Sequence, residues 1–168
     1  MNDTQAMQEH HGGGFLLTPD GYKALQVELD HLTAVKRPEI ADRIRESQQH
    51  GEFSEDNSEL DEVKFEQAMV ESRIAELKTI FSAATILDES MIPTDYVGLG
   101  SVPEVEDTDF GDRFEIRIVT SIEADPSRDL VSNESPMGTA LLGHSVGEKV
   151  TFDAPEGKKH YKILKISK

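Results

Sequence analysis

Cysteine is absent from all 168 residues, which excludes disulfides and thiolate metal sites. Positive charge is scarce: 17 Lys and Arg stand against 33 Asp and Glu, a formal net charge of -16. Phosphate binding requires a basic surface, so free nucleic acid repels this chain and no independent DNA binding is expected. An anionic membrane surface is disfavoured for the same reason. No apolar run reaches the length of a membrane-spanning helix. The stretch from Met1 to Gly14 lacks the basic start and apolar core of a signal peptide and ends in three glycines. The expectation is a disordered leader over residues 1–14 on a cytoplasmic protein, with His10 and His11 an unstructured surface pair. Hydrophobic residues make up 36% and charged residues 30%, a balance that suits an elongated protein with much helix surface in water. The length fits one domain or two small ones.

What is present begins with helix signals. Thr18 can cap, Pro19 suits the first helical position and Asp20 complements the helix dipole. Leu25, Leu29 and Leu32 follow at helical spacing. Pro38, which has no N–H and a ring that clashes with the preceding turn, predicts a kink or break near Lys36-Arg37. Ile40 and Ile44 resume the stripe up to Gly51. A second helix is marked by Leu60, Val63, Gln67, Val70, Ile74, Leu77, Phe81 and Ala84, which alternate by three and four. The short connection predicts that it folds back antiparallel on the first, giving an arm of roughly 40 Å at 1.5 Å per residue. A coiled coil that dimerises through this seam is the alternative; the matching stripe on the first helix, and hence a monomer, is preferred.

After Ala84 the period changes. Phe114, Ile116 and Ile118 alternate with Glu115 and Arg117 and predict one strand. Val150 and Phe152 mark another, and Asp153 to Gly157 a turn. Tyr161, Ile163 and a terminal Lys-Ile form the returning strand, with imperfect alternation at Leu164. Tyr96 to Val105 reads as extended, interrupted by Gly98, Gly100 and Pro103. Ser135-Pro136 can start a short helix through Leu142, ended by Gly143. The fold class is therefore α+β: an antiparallel helical hairpin over 15–86, then a mostly antiparallel β domain with one short helix over 87–168. The boundary lies near Ile86 to Pro93.

Between the helices lies an acidic cluster. Glu52, Glu55, Asp56, Glu59, Asp61 and Glu62 fall within Gly51 to Glu62 with no Lys or Arg among them. A hairpin would carry it to the far tip, at 51–59. Such oxygen donors suit Mg²⁺ or Ca²⁺, but the spacing is not that of an EF-hand, and a turn with two or three carboxylates binds Mg²⁺ weakly without ligands from a partner. In a shared two-metal site they can hold the second ion and orient its water. The plainer role is capping, with Asn57 or Ser58 as N-cap and Glu59, Asp61 and Glu62 in the first turn. It is preferred for Asp61 and Glu62, but explains less of Glu52, Glu55 and Asp56, which precede the helix.

Arg37-Pro38-Glu39-Ile40, His50-Gly51-Glu52-Phe53-Ser54-Glu55 and Asn57-Ser58-Glu59-Leu60-Asp61-Glu62-Val63-Lys64 resemble the bacterial Gre transcript cleavage factors. Ser135-Pro136-Met137-Gly138-Thr139-Ala140-Leu141-Leu142-Gly143, with Val146-Gly147-Glu148, looks like the C-terminal domain of the same family. The resemblance runs from Leu17 onward. It implies a coiled-coil hairpin and an FKBP-like domain, the latter as a fold and not as prolyl isomerase activity. It also implies a factor that is not itself an enzyme. The globular domain docks on bacterial RNA polymerase and the coiled coil enters its secondary channel. Tip carboxylates, here Glu52, Glu55 and Asp56, help hold Mg²⁺ shared with the polymerase and activate water to cut the 3′ end of backtracked RNA. Asn57, Ser58 and Lys64 are the implied contacts to polymerase or RNA.

The tip departs from the family pattern Gly-Asp-Leu-x-Glu-Asn-[AS]-Glu-Tyr. Glu52 stands where Asp is expected, and one residue is inserted between Glu55 and Asn57, so the second acid maps to Glu55 or to Asp56. The basic residue before the tip maps to Gln48; the one after it is kept as Lys64. Relatives with altered acidic tips inhibit polymerase through the same channel, which makes inhibition the alternative to cleavage stimulation. Two other classes are weighed: an adaptor whose acidic turn is merely solvated, and a free-standing Mg²⁺ nuclease. The nuclease is opposed by the want of a pocket or a basic groove for RNA. His31, His50, His144 and His160 have no metal-ligand spacing, and Lys36, Arg37, Arg43 and Arg45 read as a solvated or polymerase-facing helix surface.

Overall fold

A computed structural model describes residues 15–50 and 58–168. The leader 1–14 and residues 51–57 of the acidic turn lie outside the described residues. Residues 22–84 form one compact unit, and residues 15–21 together with 85–168 form another.

The first unit is a helical hairpin. Strand β1 (Phe15–Leu17) leads into helix α1 (Pro19–His31). The Thr18 hydroxyl accepts the Gly21 N–H at 3.1 Å, the cap its sequence promised. No break occurs at Pro38. The chain runs through a π-helical turn, Leu32–Lys36, straight into α2 (Arg37–His50). Here the Arg37 N–H reaches back five residues to the Leu32 carbonyl. A wide turn accommodates one extra residue, and it lies just where the Pro38 ring would crowd the carbonyl four residues back in a regular α-helix.

Helix α3 (Ser58–Ala83) returns along α2. Two bidirectional markers fix the antiparallel sense: Arg37 pairs with Glu71 and Arg43 with Glu66, so one number rises as the other falls. Between the helices, Leu25 and Ile40 are buried along with Val63, Ile74, Leu77 and Ile80. The seam is thus covered within one chain. Gln67 on the expected stripe is exposed, and Ile80, off the stripe, is buried. Phe81 packs edge-on against Tyr22, centroids 5.1 Å apart.

The second unit holds short strands β2 (Ala84–Ile86), paired with β1, and then β3 (Val102–Asp107), β4 (Arg113–Glu115), β5 (Arg117–Val119), β6 (Leu130–Ser132), β7 (Lys149–Ala154) and β8 (Gly157–Ser167). Helix α4 (Pro136–Leu141) precedes β7 and is capped by Ser135, whose hydroxyl accepts the Gly138 N–H at 3.0 Å. The main sheet is antiparallel in the order β4-β3-β8-β7. The single strand expected over Phe114 to Ile118 is two. Past Ile116, whose N–H still reaches the Pro103 carbonyl at 3.2 Å, the chain continues as β5, which keeps the Ile118 N–H on the Ser101 carbonyl at 3.0 Å and gains β6 as a parallel partner. The alternation survives the bend, since Ile116 and Ile118 are both buried. The extended stretch expected from Tyr96 forms a strand only from Val102; Gly100, at φ 87°, turns the chain just before it. The imperfect alternation at Leu164 is a β-bulge: Glu104 faces Lys165 while Val105 faces Ile163, which leaves Leu164 as the extra residue.

One core fills this unit. Val105, Ile118, Leu141 and Ile163 are fully buried, with Tyr161 joined by the edges of Phe114 and Phe152. Each large aliphatic side chain buried this way contributes about 1.5–3 kcal/mol. Gly138 is obligatory here: a Cβ on it would lie 2.0 Å from the Ser132 carbonyl oxygen.

Candidate functional site

The site residues expected at the tip divide between the two sides of the described boundary. Glu52, Glu55, Asp56 and Asn57 lie outside the described residues. Ser58 opens α3 and is exposed, and Lys64, on the second turn, is exposed and makes no ion pair among the described residues. Glu59 and Asp61 occupy the first turn of α3, where the helix N-terminus favours negative charge. These two acids therefore have a helix to stabilise them, in keeping with their expected capping role.

Below the tip the hairpin's arginines are committed to carboxylates. Arg37 forms a two-pronged pair with Glu71, Nε at 2.8 Å and Nη2 at 2.9 Å. Arg43 reaches Glu66 at 2.6 Å, and Arg73 grips Glu28 at 2.7 and 3.0 Å while also touching Glu76 at 2.9 Å. Arg45 pairs with Asp42 on its own helix at 2.7 Å. The hydrogen bonds from Arg37 hold the Glu71 carboxyl below its ordinary range, and those accepted by Glu71 and Glu66 raise the two guanidiniums. Lys36, Arg37, Arg43 and Arg45, expected as a solvated or polymerase-facing helix surface, are partly exposed, and each also meets a carboxylate. They are cross-links and surface pairs of the hairpin, and an arginine bound in a fork to a carboxylate is less available to phosphate. The i,i+3 acid three residues from Arg45 was visible in sequence; the partners of Arg37 and Arg43 lie on the other helix and were not.

A second feature escaped the sequence reading. The carboxylate of Glu123, only 9% exposed, sits at the root of α1. It accepts the Thr18 backbone N–H at 2.9 Å and the Thr18 hydroxyl at 2.5 Å. A Cβ on Gly21 would lie 2.0 Å from that carboxyl group, so glycine at 21 makes room for it. Close by, Thr120 donates its hydroxyl to the Leu16 carbonyl at 3.1 Å and the Leu87 N–H reaches the Leu17 carbonyl at 2.7 Å. A separation of 105 residues hides this clasp from any local pattern.

Among the described residues no three His, Cys, Asp or Glu side chains come together as a metal site, and no helix is long and apolar enough to cross a membrane. His144 is tied to Glu148 at 3.1 Å and His160 to Thr151 at 3.0 Å.

Comparison with known proteins assigns both halves. The model of the N-terminal domain of transcription elongation factors of the GreA/GreB type matches residues 15–86, and the model of the C-terminal domain matches residues 92–168. The transcription elongation factor GreA of Alkaliphilus oremlandii is 48% identical over 153 residues, 91% of this chain and 96% of that protein. The GreA of Clostridioides difficile is 46% identical over 152 residues, 90% of this chain and 95% of that one. Among solved structures, GreA factor homolog 1 of Thermus thermophilus is 34% identical, with a TM-score of 0.43 over 92% of this chain and 99% of that one. Both halves, in order and over nearly the whole length, place this chain in the GreA/GreB family of transcription elongation factors.

Proposed function

We propose that this elongation factor acts on bacterial RNA polymerase by presenting Glu52, Glu55 and Asp56, at the end of its hairpin, to the polymerase active site through the secondary channel. The observation that carries this is the pairing of a self-contained helical hairpin with a connecting turn that has no basic residue. The hairpin's arginines are held by its own carboxylates along the shaft. The chain's net charge of -16 supports a contact with RNA that the polymerase mediates. On this reading the chain is an accessory factor that acts in the cytoplasm as a monomer.

The donor set of the turn, hard carboxylate oxygens without nitrogen or sulfur, fits Mg²⁺ held jointly with the polymerase and only weakly alone. Held there, Mg²⁺ would supply Lewis-acid polarisation of the phosphodiester to be cut. The part of this chain is to bring Glu52 and one of Glu55 and Asp56 within reach, to orient the attacking water and to accept its proton. Lys64, Asn57 and Ser58 are the side chains nearest in sequence to contact polymerase or the RNA 3′ end.

A specific observation favours a second reading. Glu52 is a methylene longer than the expected Asp and the turn carries an extra acid, and a misplacement of about 1 Å can cost about a hundredfold in rate. On that reading the factor occupies the channel and slows nucleotide addition. The test is a stalled, backtracked elongation complex with labelled RNA, given wild-type protein, Glu52→Ala, Glu55→Ala or Asp56→Ala with Mg²⁺. Faster cleavage that one or two of these substitutions abolish establishes a cleavage factor and identifies its second acid. Absent cleavage, with slowed nucleotide addition relieved by the same substitutions, establishes an inhibitor. Neither effect on either reaction overturns both.

A further inference from the structure

Glu123 is a buried carboxylate that the proposed mechanism does not use. Both of its oxygens are taken up by one residue, Thr18, the N-cap of α1. None of the ion pairs among the described residues includes it. Taking a carboxylate out of water without a cation beside it is unfavourable, and a hydroxyl N-cap holds a helix start without a second acceptor behind it. Glycine within a helix is also less favourable than alanine, yet glycine at 21 is what leaves room for this carboxyl group. A cap alone requires neither.

The place of the clasp in the chain supplies a reason for both. The chain passes between its two units at residues 21–22 and 84–85. Thr18 and the first turn of α1 belong with Glu123, while α1 from Tyr22 onward belongs to the hairpin. The other passage is tied in beside the first, through β2 paired with β1 and the Leu87 N–H on the Leu17 carbonyl. A helix is stiff, so whatever fixes its first turn fixes the direction in which it sets out. The 26 residues of α3 give the hairpin a length of about 39 Å at 1.5 Å per residue, over which a swing of about 1.5° at the root displaces the far end by about 1 Å. A misplacement of that size is enough to cost about a hundredfold in rate.

We propose that Glu123 is a positioning residue for the reaction on RNA polymerase: by gripping Thr18 through both carboxylate oxygens, it fixes the direction of α1 and thereby where the acidic turn arrives. The role rests on the polymerase reading above. Glu123 touches neither metal nor RNA on this account and acts only through Thr18 and the helix that Thr18 begins.

The test uses the full chain, whose lack of cysteine lets two be introduced for spin labels at exposed positions, Ser72→Cys on α3 and Lys158→Cys on β8. Pulsed dipolar spectroscopy reads the spread of distances between the labels in the otherwise wild-type chain, Glu123→Ala, Glu123→Gln and Gly21→Ala. A thermal melt of each reports folding. Should Glu123→Ala fail to fold, Gly21→Ala takes its place, since its methyl displaces the carboxyl group while favouring the helix. In unlabelled chains the effect on a stalled elongation complex, cleavage or slowed nucleotide addition, is followed against factor concentration, which separates its saturating value from Kd. The expected result is a spread roughly doubled or more by Glu123→Ala and Gly21→Ala, with a saturating effect reduced roughly tenfold or more and a Kd within about threefold of wild type. Glu123→Gln, which keeps an acceptor for the Thr18 N–H, is expected to lie between. An unchanged spread in a folded variant overturns the positioning role and leaves the polymerase reading standing. So does a widened spread with an undiminished saturating effect, or a loss confined to Kd. A wild-type chain without effect on polymerase overturns the polymerase reading, and with it the part of Glu123 in that reaction.

Discussion

Replacing Glu123 by alanine removes the acceptor of two donors at the root of α1, the Thr18 N–H and the Thr18 hydroxyl. The hydroxyl can rotate toward another acceptor, but the N–H is fixed by the backbone. A hydrogen bond to a charged acceptor contributes about 1.5–3 kcal/mol, and a buried donor left unpaired costs about 1–3 kcal/mol. The two losses share one carboxylate and do not add fully, so the expected loss is about 3 kcal/mol. With a urea m-value of about 1–3 kcal/mol per molar, the unfolding midpoint falls by roughly 1–3 M. Tyr96 and Tyr161 belong to the affected unit and Tyr22 to the other, so tyrosine fluorescence read alongside helical circular dichroism separates the two. Glu123→Gln keeps one carbonyl acceptor for the N–H and is expected to lose about half as much. In a double-mutant cycle with Thr18→Ala the coupling is expected to be about 1–2 kcal/mol. A Glu123→Ala variant within about 0.5 kcal/mol of wild type, the range of ordinary surface substitutions, would refute the clasp as a source of stability.

Two further outcomes follow from the hairpin. If the π-helical turn is the extra residue that lets Pro38 fit while keeping Ile40 and Arg43 in register, then deleting Ala34 alone forces proline into a regular helix and is expected to cost about 3 kcal/mol. Deleting Ala34 together with Pro38→Ala should recover most of that, as read by helical circular dichroism through a thermal melt; no recovery would refute the account. The Glu71 carboxyl, held low chiefly by its hydrogen bonds from Arg37, stabilises the hairpin above the ordinary carboxylate range and loses that contribution as pH falls through its depressed value. The pair is exposed, so the effect is modest. Acidifying from neutral should lower the wild-type melting temperature more than that of Glu71→Gln, and the difference should vanish near 1 M salt, where the screening length is about 3 Å. Equal pH slopes for the two proteins at low salt would contradict it.

Local patterns in the sequence were enough for the helices, their caps and the α+β division. Thr18, Ser135 and the leucine-rich stripe act within one turn or one face, so their neighbours along the chain carry the information. The failures share a cause. Pro38 has two physical remedies, a break or a wide turn, and only the partner helix, which needs Ile40 and Arg43 in place, selects the second. The alternation from Phe114 to Ile118 is honoured on one face, yet it cannot reveal that the residues after Ile116 gain a parallel partner in β6. The Glu123 clasp and the Arg37 and Arg43 pairs join residues 105, 34 and 23 positions apart, beyond the reach of any periodicity.

Charge shows how the two levels meet. The excess of acid was plain from composition, but its distribution was not. On the hairpin, arginines that composition could have offered to RNA are tied to Glu71, Glu66 and Glu28. On the β domain, strand register sets Lys165 opposite Glu104 and places Lys162 between Glu106 and Lys149. An average charge of this size would spread repulsion over every surface. The fold instead neutralises the shaft of the hairpin and sets lysines opposite glutamates across the main sheet, while the run from Gly51 to Glu62 has no Lys or Arg of its own. Lys162 lies between Glu106 and Lys149, so exchanging Lys149 for an acid would relieve a like-charge contact, whereas exchanging Lys162 would create one with Glu106.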